Sequence, residues 1–374
     1  MADMKVPFYG HVKQYLGIKD EIDAKIHQVL MSGSYVQGPM LKQFEGELAQ
    51  FTGAKYAVGV GNGTDALVLA FMALGLGPGD EIIVPANTFF ATAEAAWTAG
   101  CTVVLVDCDK DTRCIDPEAV RRAVSKRTRA IAPVHLYGQC APMREIRKIA
   151  DEFGLLVIED NAQGIDAAGD DFKEGELSDV VCTSFIIQKN LGTYGDGGAL
   201  WTDHKYVNDT VRKLRNHGSN ARDHHSYGFN SRLDDLHAGV LSAKLPHVPS
   251  WSERRMALAK IYDEGLKGVK SITLPYHRPG YRHVYHLYEI ETVDPSDRDK
   301  LLKYLNDNGI DAKTHYSIAI HHQEGFPWGK PARIPEPLPQ AEKNASSCIS
   351  LPMFAELTED DVKYVIDVLK AWKK

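Results

Sequence analysis

Apolar positions recur at helical spacing between residues 10 and 32, at Val12, Leu16, Ile18, Ile22, Ile26, Val29 and Leu30. Gly33-Ser34-Tyr35-Val36-Gln37-Gly38-Pro39 then breaks the pattern. A second helix is predicted from Met40 to about Phe51, with Leu41, Phe44 and Leu48 on one face. Beyond it the rhythm changes. A short strand, Tyr56-Ala57-Val58-Gly59-Val60, meets a glycine turn, and a helix starts with Thr64 or Asp65 near its cap. Apolar strands are then predicted at 81–84, 102–106, 130–134 and 155–160, separated by helices at 92–99, 117–123 and 143–153. Strands that are apolar on both faces and alternate with helices imply an α/β fold, a mostly parallel sheet covered by helices. Ligands of such sheets bind beyond the carboxyl ends of the strands. The chain puts Gly63-Thr64, Asn87-Thr88-Phe89-Phe90, His135, Asp160, Gln163 and Ser184 to Lys189 there.

The stretch around Lys189 stands out. An apolar, β-branched run (Val180-Val181, then Ile186-Ile187) leads into the lysine, four glycines follow from Gly192 to Gly198, and Ala199-Leu200-Trp201-Thr202 resumes strand character. Strand, lysine-bearing glycine loop, strand is the expectation. Glycine lets backbone approach a bound group closely, and lysine condenses with carbonyls once burial frees its amine. A surface lysine in a turn is the commoner outcome for such a residue. Asp160 ends an apolar strand, and a buried carboxylate costs several kcal/mol unless a cation or hydrogen-bond donor meets it. It reads either as a capping or ion-paired aspartate, with His135 as a candidate partner, or as the partner of a cationic ring nitrogen.

Further on, helices are predicted at 205–217, 233–245 and 251–266, around a polar, aperiodic loop at 219–230. From about residue 250 a strand at 286–290 and helices at 297–308 and 360–372 suggest a smaller α+β unit. Two domains are expected, 1–250 and 251–374. The 374 residues carry a formal net charge of −7 without blocks of one sign, which argues against a nucleic-acid-binding face. Arg121-Arg122 with Lys126-Arg127, and Arg212-Lys213 with Arg215, have helical spacing and read as solvated faces. No apolar run reaches membrane-spanning length and the first residues lack a signal-peptide core, so a cytoplasmic protein is expected. Six cysteines without a CxxC pair suggest reduced, mostly buried thiols. His224-His225 and His321-His322 lack the spacing of a zinc helix, and no metal is expected. Gly59-Val60-Gly61-Asn62-Gly63 is a poor dinucleotide fingerprint, and no G-x-S-x-G elbow occurs.

Taken together, Gly63-Thr64-Asp65-Ala66-Leu67, Glu159-Asp160-x-Ala162-Gln163, Ser184-Phe185-x-x-x-Lys189-Asn190-Leu191-Gly192, Gly195-Asp196-Gly197-Gly198, Leu214-Arg215-Asn216-His217-Gly218 and Asn230-Ser231-Arg232-Leu233-Asp234 resemble the DegT/StrS sugar aminotransferases. The motifs lie in register from about residue 8 to the C-terminus. The resemblance implies the type I fold of pyridoxal-phosphate transferases, with a seven-stranded-type sheet and a small C-terminal domain. It implies pyridoxal 5'-phosphate as cofactor, with pyridoxamine phosphate as the intermediate. Lys189 would bond the cofactor and shuttle the proton, and Asp160 would keep the ring nitrogen protonated. Phe89 would stack on the ring and Gln163 would sit at its other polar edge. Gly63, Thr64 and Ser184 would hold the phosphate, with Asn230 reaching in from the second subunit of a homodimer. His315, Tyr316 and His321 match the loop near the substrate in relatives. The implied reaction belongs to amino-sugar biosynthesis: an amino group passes from an amino acid, with glutamate expected, to a nucleotide-linked keto-sugar, with C-3 of a dTDP- or UDP-linked hexose expected. Ile186-Ile187-Gln188 and Asn161 depart from the family pattern without removing a catalytic group. Retention of Lys189 disfavours a sugar dehydratase, and a cofactor-binding regulator is the remaining alternative.

Overall fold

The computed structural model describes residues 4–220 and 222–373. Helices α1 (His11–Gly17), α2 (Lys19–Ser32) and α3 (Pro39–Thr52) lead into β1 (Tyr56–Val60), α4 (Gly63–Ala73), β2 (Glu81–Pro85), α5 (Ala91–Thr98) and β3 (Thr102–Val106). Then come α6 (Pro117–Ala123), β4 (Thr128–Ile131), α7 (Met143–Phe153), β5 (Leu156–Asp160), β6 (Val180–Ser184), β7 (Gly198–Thr202) and α8 (Lys205–Leu214). The remainder comprises α9 (Asp235–Lys244), α10 (Val248–Leu266), β8 (Ile272–Thr273), β9 (Tyr288–Thr292), α11 (Arg298–Asp307), β10 (Ala332–Arg333), α12 (Pro339–Ser347), β11 (Cys348–Leu351) and α13 (Glu359–Ala371).

The main sheet has eight strands in the order β1-β7-β6-β5-β4-β2-β3-β10. Only β7 runs against its neighbours, β1 and β6. The expected α/β sheet covered by helices is therefore present, with one strand more than the seven-stranded type. The eighth strand is the two-residue β10, beside β3 at the edge, too short to leave a pattern in the sequence. In this sheet β2 and β7 are buried along their whole length, and α4 buries every residue from Ala66 to Phe71 between sheet and neighbouring helices, as expected of a helix apolar on all sides. A second, antiparallel sheet, β11-β9-β8, packs with α10, α11 and α13 around Leu258, Tyr262, Tyr288, Ile290, Leu301 and Val365. Several contacts cross residue 250; among them β10 joins the main sheet, Val6 bridges to Ile310 and Ala168 bridges to Arg282.

Several expectations shift. The first predicted helix is two, parted at Ile18. Ile186-Ile187 belong to a turn instead of a strand, because the ladder ends at Ser184 opposite Gly198 and the Lys189 amide closes back on the Ile186 carbonyl at 2.9 Å. The cap of α4 is Asn62, whose side chain accepts from the Asp65 amide at 2.8 Å, instead of Thr64 or Asp65. All six cysteines are buried and unpaired. No helix among the described residues is long and apolar enough to cross a membrane.

Two buried carboxylates pin the N-terminal helices to this frame. α3 begins at Gly38 without a side-chain cap of its own. Asp235 of α9 supplies one, accepting from the amides of Gly38, Met40 and Leu41 at 2.8, 3.0 and 3.1 Å. Gly38 is needed because a Cβ there would fall 2.5 Å from the Asp235 carboxylate. Glu45 of α3 takes the Gly59 amide at 2.9 Å, Arg212 at 2.8 Å and Arg215 at 2.6 Å. Arg215 is buried, so the cluster at 212–215 is an internal clamp joining α3, β1 and α8, and the solvated face expected there is not found. Glu45→Ala leaves Arg215 buried without a counter-charge, and we expect it to cost about 3–5 kcal/mol. Urea unfolding of the two proteins measures it; an unchanged midpoint would mean that water replaces the carboxylate.

Candidate active site

The carboxyl ends of β1, β2, β5 and β6 open into one cavity of about 860 Å³, the size of small-molecule sites. Nine of the residues singled out from the sequence line it: Gly63, Thr64 and Phe89; Asp160, Gln163 and Ser184; Lys189, His315 and Tyr316. Lys189 leaves β6 on the turn described above and is half-buried. Withdrawal from water lowers its pKa to about 8, against the opposing pull of Asp160. Its loop is held from behind. The Lys244 ammonium, buried in α9, donates to the Gly192 carbonyl at 2.7 Å and lies over the Tyr194 ring. Gly192 must lack a side chain, since a Cβ would meet the Ile187 carbonyl at 2.6 Å.

Asp160, at the end of β5, is buried and aimed by two donors, the Thr92 hydroxyl at 2.7 Å and the Ala162 amide at 3.1 Å. The ion pair with His135 is not formed. His135 instead meets Glu159 at 2.6 Å and accepts the Ala141 amide at 3.0 Å. Gln163 is fixed at both ends: its oxygen accepts the Tyr137 amide at 2.6 Å and its nitrogen donates to the Tyr316 hydroxyl at 3.0 Å. Phe89 projects into the cavity, 55% exposed, with its ring 5.6 Å from that of Tyr316. At the start of α4, Asn62 occupies the amides of Asp65 and Ala66, and Gly63 packs so closely that a Cβ would lie 2.7 Å from that of Ser184. A helix start with glycine against serine is a cradle for an anion.

His315 stacks on Phe8 at 5.6 Å and meets the Ser350 hydroxyl through Nδ1 at 2.7 Å. Burial lowers its pKa to about 4, with Lys189 and Lys313 adding to the effect. Burial likewise pushes the Tyr316 hydroxyl up. Two expected residues lie outside this cavity. Asn230 is exposed on the loop that pairs with Asn216. His321 faces Glu342 at 3.1 Å, with His322 beside it; the donor atoms of these three lie within 4.8 Å of one another. Sequence reasoning missed Tyr9, His286 and Lys313, which also line the cavity. His286 was hidden in a predicted strand, and only the adjacency of Lys313 to His315-Tyr316 hinted at its place.

A titratable amine, an aimed carboxylate and an anion cradle share one cavity; they fit a phosphorylated, cationic ring that carries a carbonyl. The DegT/DnrJ/EryC1/StrS aminotransferase family matches residues 17–370. A "pleiotropic regulatory protein" of Geobacillus stearothermophilus is 40% identical over 97% of this chain and 97% of its own. The dTDP-3-amino-3,4,6-trideoxy-alpha-D-glucose transaminase of Streptomyces venezuelae is 41% identical over 98% of this chain and 96% of its own. Among solved structures, S. venezuelae DesV in complex with a ketimine intermediate superposes with a TM-score of 0.94 at 41% identity, over 98% of both chains. NtdA of Bacillus subtilis with bound cofactor PMP gives 0.88 at 32%, over 98% of this chain and 86% of that one.

In the cofactor-free protein, capture of a small aldehyde at Lys189, trapped by borohydride and mapped by peptide, should rise with pH around a midpoint near 8. Above the midpoint the amine is neutral and nucleophilic. Asp160→Asn removes the charge that favours the ammonium, so the midpoint should move down. A midpoint in the ordinary lysine range would remove the burial argument.

Proposed function

The chain belongs to the DegT/DnrJ/EryC1/StrS aminotransferase family, and from that premise we propose that this cavity moves an amino group from an amino acid to a nucleotide-linked keto-sugar. It is a pyridoxal-phosphate-dependent enzyme. Glutamate is the proposed donor, and the acceptor position proposed is C-3 of a dTDP- or UDP-linked hexose, the position named in the Streptomyces relative. The observation that carries the reading is the convergence of Lys189, Asp160 and the Gly63-Ser184 cradle on one cavity.

Bound pyridoxal phosphate would supply an electron-accepting ring and an aldehyde that takes up the donor's amino group for delivery to the acceptor. The chain's own residues do the rest. Asp160, aimed by Thr92, holds a proton on the ring nitrogen. Gly63, Thr64 and Ser184 would hold the phosphate at the start of α4, and Phe89 and Gln163 would hold the ring. Lys189 is the proton carrier: an amine with a pKa of about 8 both gains and loses a proton near neutral pH. His315 and Tyr316 face the sugar, and we extend that role to His321.

We assign residues 1–250 to the cofactor-binding part and 251–374 to a smaller part that closes over it. A homodimer with shared sites fits two features: Asn230 stands outside its own cavity, and Val12, Leu16, Leu30, Met31 and Tyr35 are exposed on the N-terminal segment. A cytoplasmic location is part of the proposal.

A visible spectrum of the loaded protein should change on adding glutamate, and a keto-sugar nucleotide should restore it. Lys189→Ala should lower turnover by about 10²–10⁴-fold; a wild-type rate would take Lys189 out of the mechanism. Cofactor binding without sugar turnover would favour a regulator, as the name of the Geobacillus relative suggests for that protein, and a deoxygenated keto-sugar product would favour a dehydratase.

A further inference from the structure

β9 and β11 place Glu289 opposite Ser350. The Ser350 hydroxyl donates to Glu289 Oε2, and Ser350 Oγ lies 2.7 Å from His315 Nδ1. Ser350 and Glu289 are both buried. The line His315–Ser350–Glu289 therefore runs from the active-site cavity through the small sheet. It ends at a second cavity of about 70 Å³, which Glu289 lines together with Arg113, Gln139 and Glu291.

The direction of the hydrogen bonds follows from counting protons. A serine hydroxyl has one. Spent on Glu289, it leaves Ser350 Oγ only as an acceptor toward His315. The imidazole proton then sits on Nδ1, and Nε2 keeps its lone pair. Nε2 has no protein hydrogen-bond partner among the described residues, and His315 lines the active-site cavity.

Glu289 sustains this direction when ionised, and also when protonated on Oε1. Burial raises its pKa to about 8; the Ser350 and Cys348 bonds and Arg113 oppose the rise, and Glu291 adds to it. Its Oε1 is buried without a hydrogen-bond partner. A proton carried on Oε1 leaves Oε2 free to accept from Ser350, and the relay requires that placement. The remaining titratable groups on Glu289 are Tyr137 and Tyr316, both held neutral by burial. Around His315 stand Lys189, Lys313 and His286.

We propose that Glu289 and Ser350 are positioning residues that hold His315 as its Nδ1–H tautomer, so that Nε2 accepts a hydrogen bond from a hydroxyl of the sugar. A neutral imidazole in that state offers nothing to a carbonyl or phosphate oxygen. Selection of a hydroxyl-bearing substrate is thus set one layer beneath the cavity. The substrate part rests on the aminotransferase reading above; the tautomer part does not.

Nitrogen-15 NMR of histidine-labelled, cofactor-free protein reads the tautomer directly, with His315→Gln identifying the signal. The wild type should show Nδ1–H from pH 6 to 8. Ser350→Ala should shift the ring toward Nε2–H, while Glu289→Gln, whose amide oxygen still accepts from Ser350, should keep the wild-type signal. In the loaded enzyme Ser350→Ala should raise KM for the sugar nucleotide by about tenfold, the worth of one hydrogen bond, and leave the glutamate half-reaction unchanged. An Nε2–H wild type, or a Ser350→Ala signal identical to it, overturns the relay. A changed tautomer with an unchanged KM overturns the substrate role. A wild type that binds no cofactor would defeat the aminotransferase reading, and a retained Nδ1–H signal would still uphold the relay.

Discussion

The site depends on drawing an amine partly out of water beside a buried carboxylate, the one on the turn beyond β6 and the other at the end of the adjacent β5. Each alone would be costly to bury, and the carboxylate alters the amine's proton affinity. Burial drives Lys189 toward its neutral form and Asp160 draws it back. The outcome, a lysine balanced near neutral pH, requires that neither group move. Asp160 is held by Thr92 from α5 and by the backbone just beyond its own strand. Lys189 is held by a turn whose far end is tied to Lys244. The functional pair is thus aimed by groups that do not themselves react.

The same division of labour extends outward. Asp235 and Glu45 have no place in the cavity, yet they fix α3 against β1 and α8, and so fix the glycine turn that opens α4. The His135–Glu159 pair sits just behind Asp160 on the same strand. Asp235 is met by backbone amides and Glu45 by an amide and two guanidinium groups, as low dielectric demands of buried charge.

What the sequence made legible follows from local physics. Asp160 stood out because it ends an apolar strand and Lys189 because a glycine loop follows one, and strand ends in a parallel sheet face one rim. Helix α7 was placed to the residue because Met143, Ile146, Ile149 and Ala150 share one face and Gly154 ends it. Long-range supply was not legible. Nothing near Gly38 reveals that its cap arrives from Asp235, and helical spacing at 212–215 cannot tell a solvated face from one turned onto Glu45. Ile186-Ile187 carried strand composition but lay past the last ladder pair, where turn closure overrode propensity. Residues as short-lived in the pattern as Ala332-Arg333, or as plain as Ser350, offered no periodic signal at all.

The contacts that cross residue 250 bear on how the protein comes into being. Val6 meets Ile310, and the edge of the main sheet is finished by residues 332–333. As a chain grows from its N-terminus, its first segment must wait for partners some three hundred residues later, and the cavity lacks His315 and Tyr316 until then. Long-range closure of this kind makes assembly slow and leaves apolar surface open in the interim. Activity arrives with the last fifth of the polypeptide, and a truncated product would hold the lysine loop without the chemistry.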